Sequence, residues 1–421
     1  MYRGKYCRLL LILTALIAMV SQSAMAKDVT LTLMYQSSGE ETGDRWMEDN
    51  VALFQELHPN IKIEVTANTY GDQYLTQITT MMATGRPPDV FASWTLGRLE
   101  PFVSAGRVYN LKPELEKDPE FAEFLHQEPL ASTTFNGGIY GIPHNLAAEL
   151  VYYNKEVFDQ FGLTVPTTYD EFLNIVEVLK ANDIIPIALG NAETWTGTIP
   201  YMMITERVGG LDTYERVVIE GNGQWTEEPF VKSAELLQEL IAMGAFEPNV
   251  NGIRPEEARG KFMTGKAGMW MNGTWDIGIM NYNMGVDGYG LFNFPDIPGG
   301  KGSRHHYIAF VDQAFCIGEN CRNKAEAMEF LKFICSPERQ DALVKTGVIP
   351  STHVKVDPAA ANPRLVEALD LMASATGLMY PWDIPLGPFL GAEINKTAQL
   401  LYMGQDPEQA LAQFQQLVDS Q

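Results

Sequence analysis

Three tryptophans that follow strand-like runs are the residues of this sequence whose type and placement best suit ligand chemistry. Trp94 comes soon after Asp89-Val90-Phe91, Trp195 follows the apolar run 184–189, and Trp275 follows the run 267–271. A flat aromatic face complements the apolar C–H face of a sugar ring, and nearby amide, carboxylate and guanidinium groups exchange hydrogen bonds with its hydroxyls. A single tryptophan is more often a core residue. Three at equivalent positions favour a carbohydrate-binding cleft.

Motifs for nucleotide binding, metal binding and catalysis are incomplete. Residues 260–266 spell G-x-x-x-x-G-K, but Ala267 stands where a phosphate loop carries its magnesium-binding hydroxyl. The segment is better interpreted as a helix end followed by a turn. The pair His305-His306 is a poor chelate, because adjacent residues on a strand point to opposite faces. A Gly-x-Ser-x-Gly motif does not occur. We therefore predict a binding function without catalytic residues, metal or cofactor.

The elements that must position these residues alternate between strands and helices. Apolar residues at period two over 29–35 predict a strand, and helical spacing over 44–57 predicts a helix that ends before Pro59. Thr168 and Glu171 form a capping box that opens a later helix. This alternation predicts an α/β fold with mainly parallel sheets covered by helices on both faces. Ligands of such folds bind beyond the carboxyl ends of the strands, where the three tryptophans lie.

The first 26 residues have the form of a secretory signal peptide. A basic start over 3–8 precedes an apolar run over 9–20, and Ala24-Met25-Ala26 resembles a cleavage site. The run is too short to span about 30 Å of hydrocarbon as a membrane helix. Cys7 precedes the run, which argues against a lipid anchor at the cleavage point. We predict cleavage before Lys27 and export of the mature chain.

Charge, length and cysteine content agree with an exported globular protein. The chain has 421 residues, of which 30 are basic and 53 acidic, giving a net charge of −23 at pH 7 that argues against a nucleic-acid surface. The length suits two domains with cores of their own. Three cysteines remain after the signal, and the expectation is one disulfide and one buried thiol, with Cys316–Cys321 and Cys316–Cys335 both open.

A series of landmarks along the mature chain resembles the extracellular solute-binding proteins of bacterial ABC importers, in the carbohydrate-binding family that includes maltose- and oligosaccharide-binding proteins. Single landmarks are weak signals, but their order and spacing make the resemblance strong, and it covers essentially the whole mature length. The landmarks are Pro88-Asp89-Val90 before Trp94, the segments 106–111, 140–143 and 152–155, the segment 166–172, the segment 262–275, Ser336-Pro337-Glu338 and the segment 347–350.

The resemblance implies a two-lobed, hinged periplasmic-binding-protein fold of type II, with the ligand cleft between the lobes. One lobe is expected to take residues 27–137 and 301–347, and the other residues 138–300 and 348–421. The chain is then expected to cross between lobes near 140–154, 304–311 and 347–353. Closure around a sugar would be a two-state change, biased by a ligand that contacts both halves only when they close.

The resemblance also implies a set of ligand-binding residues. Trp275 is the primary stacking candidate, and Phe389 is an alternative to Trp382 as the aromatic of the last region. Packing within a strand or loop is the alternative role for Asp312, Trp382 and Asp383. Gly97 stands where some maltose binders carry an acid, which argues against maltose. The complete set is Ser38, Glu40, Trp94, Arg98, Asn145, Trp195, Asn272, Gly273, Trp275, Asp312, Trp382 and Asp383.

The function that follows is a periplasmic, monomeric receptor that delivers a mono- or oligosaccharide to the transmembrane subunits of an ABC permease. Acidic and aromatic site residues favour a neutral or cationic sugar over a phosphorylated or uronic one. Two alternatives stay open: a secreted carbohydrate-active enzyme that uses the same tryptophans and carboxylates, and the same fold with a non-sugar solute such as a polyamine, a glycerophosphodiester or a metal chelate.

Overall fold

The computed structural model describes residues 28–37, 43–69 and 71–421. Its strands are β1 Val29–Ser37, β2 Ile61–Thr69, β3 Val90–Ser93, β4 Thr134–Phe135, β5 Gly138–Ile139, β6 Ile142–Asn154, β7 Ile185–Ala188, β8 Ala267–Gly273, β9 Tyr289–Phe292, β10 His306–Ile317, β11 Ile349–Pro350 and β12 Gly377–Met379. The α-helices are α1 Gly43–Leu57, α2 Asp72–Ala83, α3 Glu100–Ser104, α4 Lys112–Glu116, α5 Pro119–Phe124, α6 Gln127–Ala131, α7 Lys155–Gln160, α8 Tyr169–Ala181, α9 Thr198–Tyr214, α10 Glu228–Met243, α11 Pro255–Met263, α12 Ile277–Met284, α13 Lys324–Ile334, α14 Pro337–Thr346, α15 Pro363–Met372, α16 Gly387–Tyr402 and α17 Pro407–Asp419. The predicted signal peptide lies outside the described residues.

Most strands form one mixed sheet with the order β2-β1-β3-β10-β6-β8-β7. The outer pairs β1–β2, β1–β3 and β7–β8 are parallel, whereas β3–β10, β10–β6 and β6–β8 are antiparallel. The α/β class is therefore confirmed, but the prediction of mainly parallel sheets is wrong for the centre. The reason is that the two longest strands, β6 and β10, run through the middle of the molecule in opposite directions.

The strands β6 and β10 join two large apolar cores. One core is built from residues between 29 and 142 and between 315 and 343. The other takes residues between 151 and 294, Ile308 and residues between 379 and 414. The ladder between β6 and β10 is irregular between Val311 and Ala314, where the register shifts. Such an irregularity bends a strand and re-aims its side chains, and here it lies between the two cores.

The lobe boundaries expected from the sequence, 27–137 with 301–347 and 138–300 with 348–421, remain a prediction. The two apolar cores bear on them, because most of the first core falls within the first pair of ranges. Ile308 packs instead with the second core, while Phe315 packs with the first. On this criterion the middle crossing would fall within β10, between those two residues.

Two local predictions are confirmed in detail. The Thr168 hydroxyl accepts a hydrogen bond from the Glu171 backbone N–H, and the Glu171 carboxylate accepts one from the Thr168 backbone N–H, so α8 begins with a complete capping box. The phosphate-loop look-alike is the end of α11 and a turn at Gly265, whose φ of 72° favours glycine. The turn leads into β8, which carries the most recognisable segment of the family resemblance.

The expected disulfide is absent, which corrects that prediction. Cys316, Cys321 and Cys335 are all buried free thiols. They share one core but face different neighbours: the Cys316 sulfur packs against Gly141, and Cys321 interacts with Asp89. Burial raises the pKa of all three thiols, and that of Cys335 to about 12, so they stay protonated at neutral pH.

Candidate functional site

Two connected cavities lie where the central strands meet the loops of both cores. The larger spans about 1210 Å³ and the smaller about 490 Å³, and both volumes include space that is open to the solvent. Trp195, Trp275 and Asp312 line both of them, so the cavities meet at these three side chains. A concave site with aromatic walls and a few convergent polar groups is the usual form of a small-molecule site.

The tryptophans predicted to stack on a ligand stand together at this junction. The rings of Trp195 and Trp275 meet edge to face, with centroids 5.9 Å apart and an interplanar angle of 66°. The Trp195 indole N–H donates to the Glu193 carboxylate over 3.0 Å. Phe310 also meets Trp275 edge to face, with ring centroids 6.2 Å apart and an interplanar angle of 68°. These contacts hold Trp275 between two aromatic neighbours while it lines both cavities.

Trp275 reaches this position because β8 ends in glycine. A Cβ atom at Gly273 would stand 2.0 Å from the Trp275 ring, so only glycine lets the ring fold back over the strand. The Gly273 carbonyl also accepts a hydrogen bond from the Tyr152 hydroxyl over 2.7 Å. Gly273 therefore supports the site from below and does not itself line either cavity.

Asp276 fixes the side chains at the end of β8. Its Oδ2 accepts from the Trp270 indole over 2.9 Å and from the Asn272 amide over 2.7 Å, and its Oδ1 accepts from Arg259 over 3.0 Å. Because the Asn272 nitrogen faces Asp276, the amide orientation follows from the network. The Asn272 Oδ1 is buried without a hydrogen-bond partner among the described residues, and Asn272 lines the larger cavity.

Arg98 and Asp383 form a buried ion pair in the wall of the smaller cavity. An Arg98 N–H donates to the Asp383 carboxylate over 2.6 Å, and another donates to the Asp383 carbonyl over 3.2 Å. The guanidinium stacks over Trp94 at 4.5 Å from the ring centroid. Asn395 also donates to the Asp383 carboxylate, over 3.1 Å. The predicted aromatic and guanidinium from one loop therefore do lie together, but Arg98 is already neutralised.

Asn145 and Asp312 meet between the two central strands, next to the irregularity in the β6–β10 ladder. The Asn145 amide donates to the Asp312 carboxylate over 2.8 Å, and both residues line the larger cavity. Burial raises the pKa of Asp312 to about 6, and the Asn145 hydrogen bond acts in the opposite direction. The Asn145 Oδ1 has no partner among the described residues. A ligand here would contact the strands that connect the two cores.

The structure brings together eight of the twelve residues predicted for the site. Trp382 does not line either of these cavities: it is 1% exposed and packs edge to face against Tyr201 and Trp225 in the second core. Its alternative Phe389 is 51% exposed and lies outside both cavities. Ser38 and Glu40 lie outside the described residues. The eight that line the cavities are Trp94, Arg98, Asn145, Trp195, Asn272, Trp275, Asp312 and Asp383.

Sequence reasoning missed several residues of the cleft. Glu149, which lies in the strand β6, was hidden in the run 146–151, although an acid within an apolar strand is itself a signal. Trp46 was absorbed into the amphipathic pattern of α1, yet it lines the larger cavity with an indole N–H that lacks a partner among the described residues. The residues missed include Tyr35, Gln36, Trp46, Glu149, Glu193, Arg259 and Phe310.

The sequence of the chain matches a known protein family over most of its length. The profile of the bacterial extracellular solute-binding proteins matches residues 38–341. The chain belongs to this family. Solute-binding proteins bind their ligands without converting them, so the prediction of a non-enzymatic function is confirmed at the family level. Members of this family are extracellular proteins.

Individual members of the solute-binding family resemble this chain in sequence and in structure. The multiple sugar-binding protein of Streptococcus mutans is 25% identical over 320 residues, which cover 75% of this chain and 73% of that protein. A structure from work on xylan utilization by the thermophilic bacterium Caldanaerobius polysaccharolyticus has a TM-score of 0.87 and 28% identity, covering 92% of this chain and all of that one. A chitin oligosaccharide binding protein has a TM-score of 0.85 and 25% identity, covering 93% and 98%.

Over residues 28–37, 43–69 and 71–421, no helix is long and apolar enough to cross a membrane. Across the same ranges, no group of three or more histidine, cysteine, aspartate or glutamate side chains is arranged to hold a metal ion.

Proposed function

We propose that this solute-binding protein is the periplasmic receptor of an ABC importer, that it binds a mono- or oligosaccharide in the cleft formed by the two cavities, and that it delivers the sugar to the permease. The observation that carries the proposal is the combination of aromatic walls with buried polar atoms that have no hydrogen-bond partner among the described residues. Such atoms are costly to leave unpaired, and a polyhydroxylated ligand would satisfy them. They are Gln36 Oε1, Trp46 Nε1, Asn145 Oδ1, Glu149 Oε2 and Asn272 Oδ1.

The charges of the cleft select against anionic ligands. Among the described residues that line the cavities, Arg98 and Arg259 are the guanidinium groups, and each is paired with a carboxylate. Burial lowers the pKa of His144, which also lines the larger cavity, to about 3 and leaves it neutral. A phosphate or uronate would therefore meet carboxylates without a free cation to bind it. A neutral sugar meets hydrogen-bond acceptors instead.

Ligand-driven closure follows from where the cleft lies. Trp94 packs against the first core and Trp195 against the second, and both line the smaller cavity. A sugar held between them contacts both predicted lobes at once. It would then favour the closed arrangement by its extra contacts in that state. The closed, monomeric receptor is the form that we expect the transmembrane subunits of the permease to recognise.

A thermal-shift screen of the mature protein tests this function against its alternatives. The panel contains neutral mono- and oligosaccharides, uronic acids, sugar phosphates, polyamines and glycerophosphodiesters. A ligand that binds only the native state raises the unfolding midpoint as its concentration rises above Kd. We expect a neutral sugar to raise the midpoint and the anionic sugars to leave it unchanged. A shift produced by a polyamine or a glycerophosphodiester alone would contradict the proposal.

Incubation with oligosaccharides tests the enzymatic alternative. A receptor returns its ligand unchanged, so we expect no new reducing ends after prolonged incubation of the mature protein with the sugar that binds. Release of reducing ends in proportion to protein concentration would contradict a purely binding function.

A further inference from the structure

Glu149 is a buried acid in the middle of the central strand β6. Its backbone pairs with Ile308 on β10 and with Gly273 on β8, so strands on both sides fix its position. The residue is 3% exposed, and its side chain forms part of the lining of the smaller cavity. A carboxyl group is rarely this buried without a partner. The position therefore calls for a specific reason.

Among the residues that the structure describes, none forms an ion pair with the Glu149 carboxyl. Its Oε2 has no hydrogen-bond partner among the described residues. The other charged groups that line the same cavity are Arg98, Asp312 and Asp383, and the Arg98 guanidinium forms an ion pair with Asp383. Burial raises the pKa of Glu149, and the nearby Asp383 charge acts in the same direction. A carboxyl in this environment can exchange hydrogen bonds with a hydroxyl group at little further desolvation cost.

The smaller cavity has the form of an end compartment. Its aromatic walls are Trp94, Trp195, Trp275 and Phe310. On one side the loop after β3 touches the loop before α16, since a Cβ atom at Gly97 would lie 2.2 Å from the Pro385 carbonyl oxygen. On another side it meets the larger cavity at Trp195, Trp275 and Asp312. A ring in the smaller cavity therefore has room for a linked unit in the larger one.

We propose that the smaller cavity is a subsite for one terminal ring of an oligosaccharide and that Glu149 determines its specificity by a hydrogen bond with one hydroxyl of that ring. This inference rests on the proposed function, because it names the group that reads the sugar within the same cleft. The aromatic walls supply affinity for any ring of suitable shape. The Glu149 carboxyl supplies discrimination between rings that differ at one hydroxyl, since an analogue without it leaves the buried acid unpaired.

The test combines a substitution at Glu149 with the removal of single hydroxyl groups from the sugar, in the manner of a double-mutant cycle. Calorimetry measures Kd for xylobiose, cellobiose and N,N′-diacetylchitobiose, and then for mono-deoxy forms of whichever disaccharide binds the wild type. We expect loss of one particular hydroxyl of a terminal ring to weaken binding to the wild type roughly ten- to hundredfold. In Glu149→Leu the same deletion is expected to have less than a threefold effect, while the other deoxy positions keep their wild-type ratios. Glu235→Leu, an exposed site on α10, is the control and is expected to match the wild type.

The outcomes separate this proposal from the function on which it rests. If no sugar binds the wild type in the broader screen, the proposed function fails and the subsite fails with it. For each analogue, the ratio of interest is its Kd divided by the Kd of the parent disaccharide. If a disaccharide binds but Glu149→Leu changes all of these ratios equally, or changes none of them, the function stands and the role of Glu149 is refuted. Should Glu149→Leu not fold, Glu149→Gln preserves the side-chain volume and carries the same cycle. A changed ratio at a single hydroxyl supports the proposal in either variant.

Discussion

Replacement of Trp275 by alanine is the perturbation with the clearest expected effect on binding. The ring lines both cavities and is held between Trp195 and Phe310 at centroid distances of 5.9 and 6.2 Å. A ligand in either cavity therefore contacts it, and removal deletes an aromatic face in the centre of the cleft. Truncation of a buried aromatic anchor of a binding site to alanine typically costs about 1 to 3 kcal/mol of binding free energy. That range corresponds to an increase in Kd of roughly 5- to 150-fold.

Calorimetry with the sugar identified by the thermal screen measures this change. We expect Trp275→Phe to retain much of the affinity, because it keeps a smaller aromatic face. The matched control is Trp225→Phe, which alters a tryptophan that is 1% exposed in the second core and lines neither cavity. It should lower the unfolding midpoint and leave Kd unchanged. A Trp275→Ala variant that is folded and binds within twofold of the wild type would refute the placement of the site.

Three further predictions concern the groups around the cleft and the cores. Arg98→Met leaves Asp383 buried without its guanidinium and should lower the free energy of unfolding by roughly 3 to 5 kcal/mol, measured by urea denaturation, whereas the double variant Arg98→Met with Asp383→Leu should recover part of it; a double variant no more stable than the single one would contradict this. Folding raises the pKa of Asp312 from 3.8 to about 6, so its contribution to stability is fully present below about pH 4 and is lost as the pH rises through about 6. The free energy of unfolding of Asp312→Asn should therefore be higher than that of the wild type by about 3 kcal/mol at pH 7 and by little at pH 4. An equal difference at both pH values would refute the raised pKa of Asp312. Thiol titration of the mature, unreduced protein should detect no reactive thiol in the native state and all three in denaturant; detection of fewer than three would indicate a disulfide.

The parts of the fold that the sequence predicts are those that depend on local chemistry. The capping box at Thr168 needs only residues within one turn of helix, and the turn at Gly265 needs only its own backbone freedom. The pairing of β6 with β10 joins residues such as Asn145 and Gln313, which are far apart in the chain. Neither strand carries a signal that names its partner or its direction. The periodicity of apolar residues therefore could not predict that the centre of the sheet is antiparallel.

The same distinction applies to the candidate site. Trp275 and Asn272 could be predicted because they follow a strand in a segment with recognisable spacing. Trp382 could not be assigned correctly, because a tryptophan in a proline-rich loop looks the same whether its ring faces a cleft or a core. The role of Glu149 depends on which groups surround it in three dimensions. The state of the cysteines could not be predicted, because neither the number of cysteines nor an oxidising compartment shows where each thiol points.

A calorimetric titration of the mature protein tests most directly whether a neutral carbohydrate binds in the cleft. Saturable binding of one neutral mono- or oligosaccharide per chain is expected, with no heat from the matching uronic acid or sugar phosphate. The carboxylates and the paired guanidinium groups that line the cleft account for that selectivity. Absence of binding by every neutral sugar, together with one-to-one binding of a polyamine or a glycerophosphodiester, would contradict a carbohydrate-binding function.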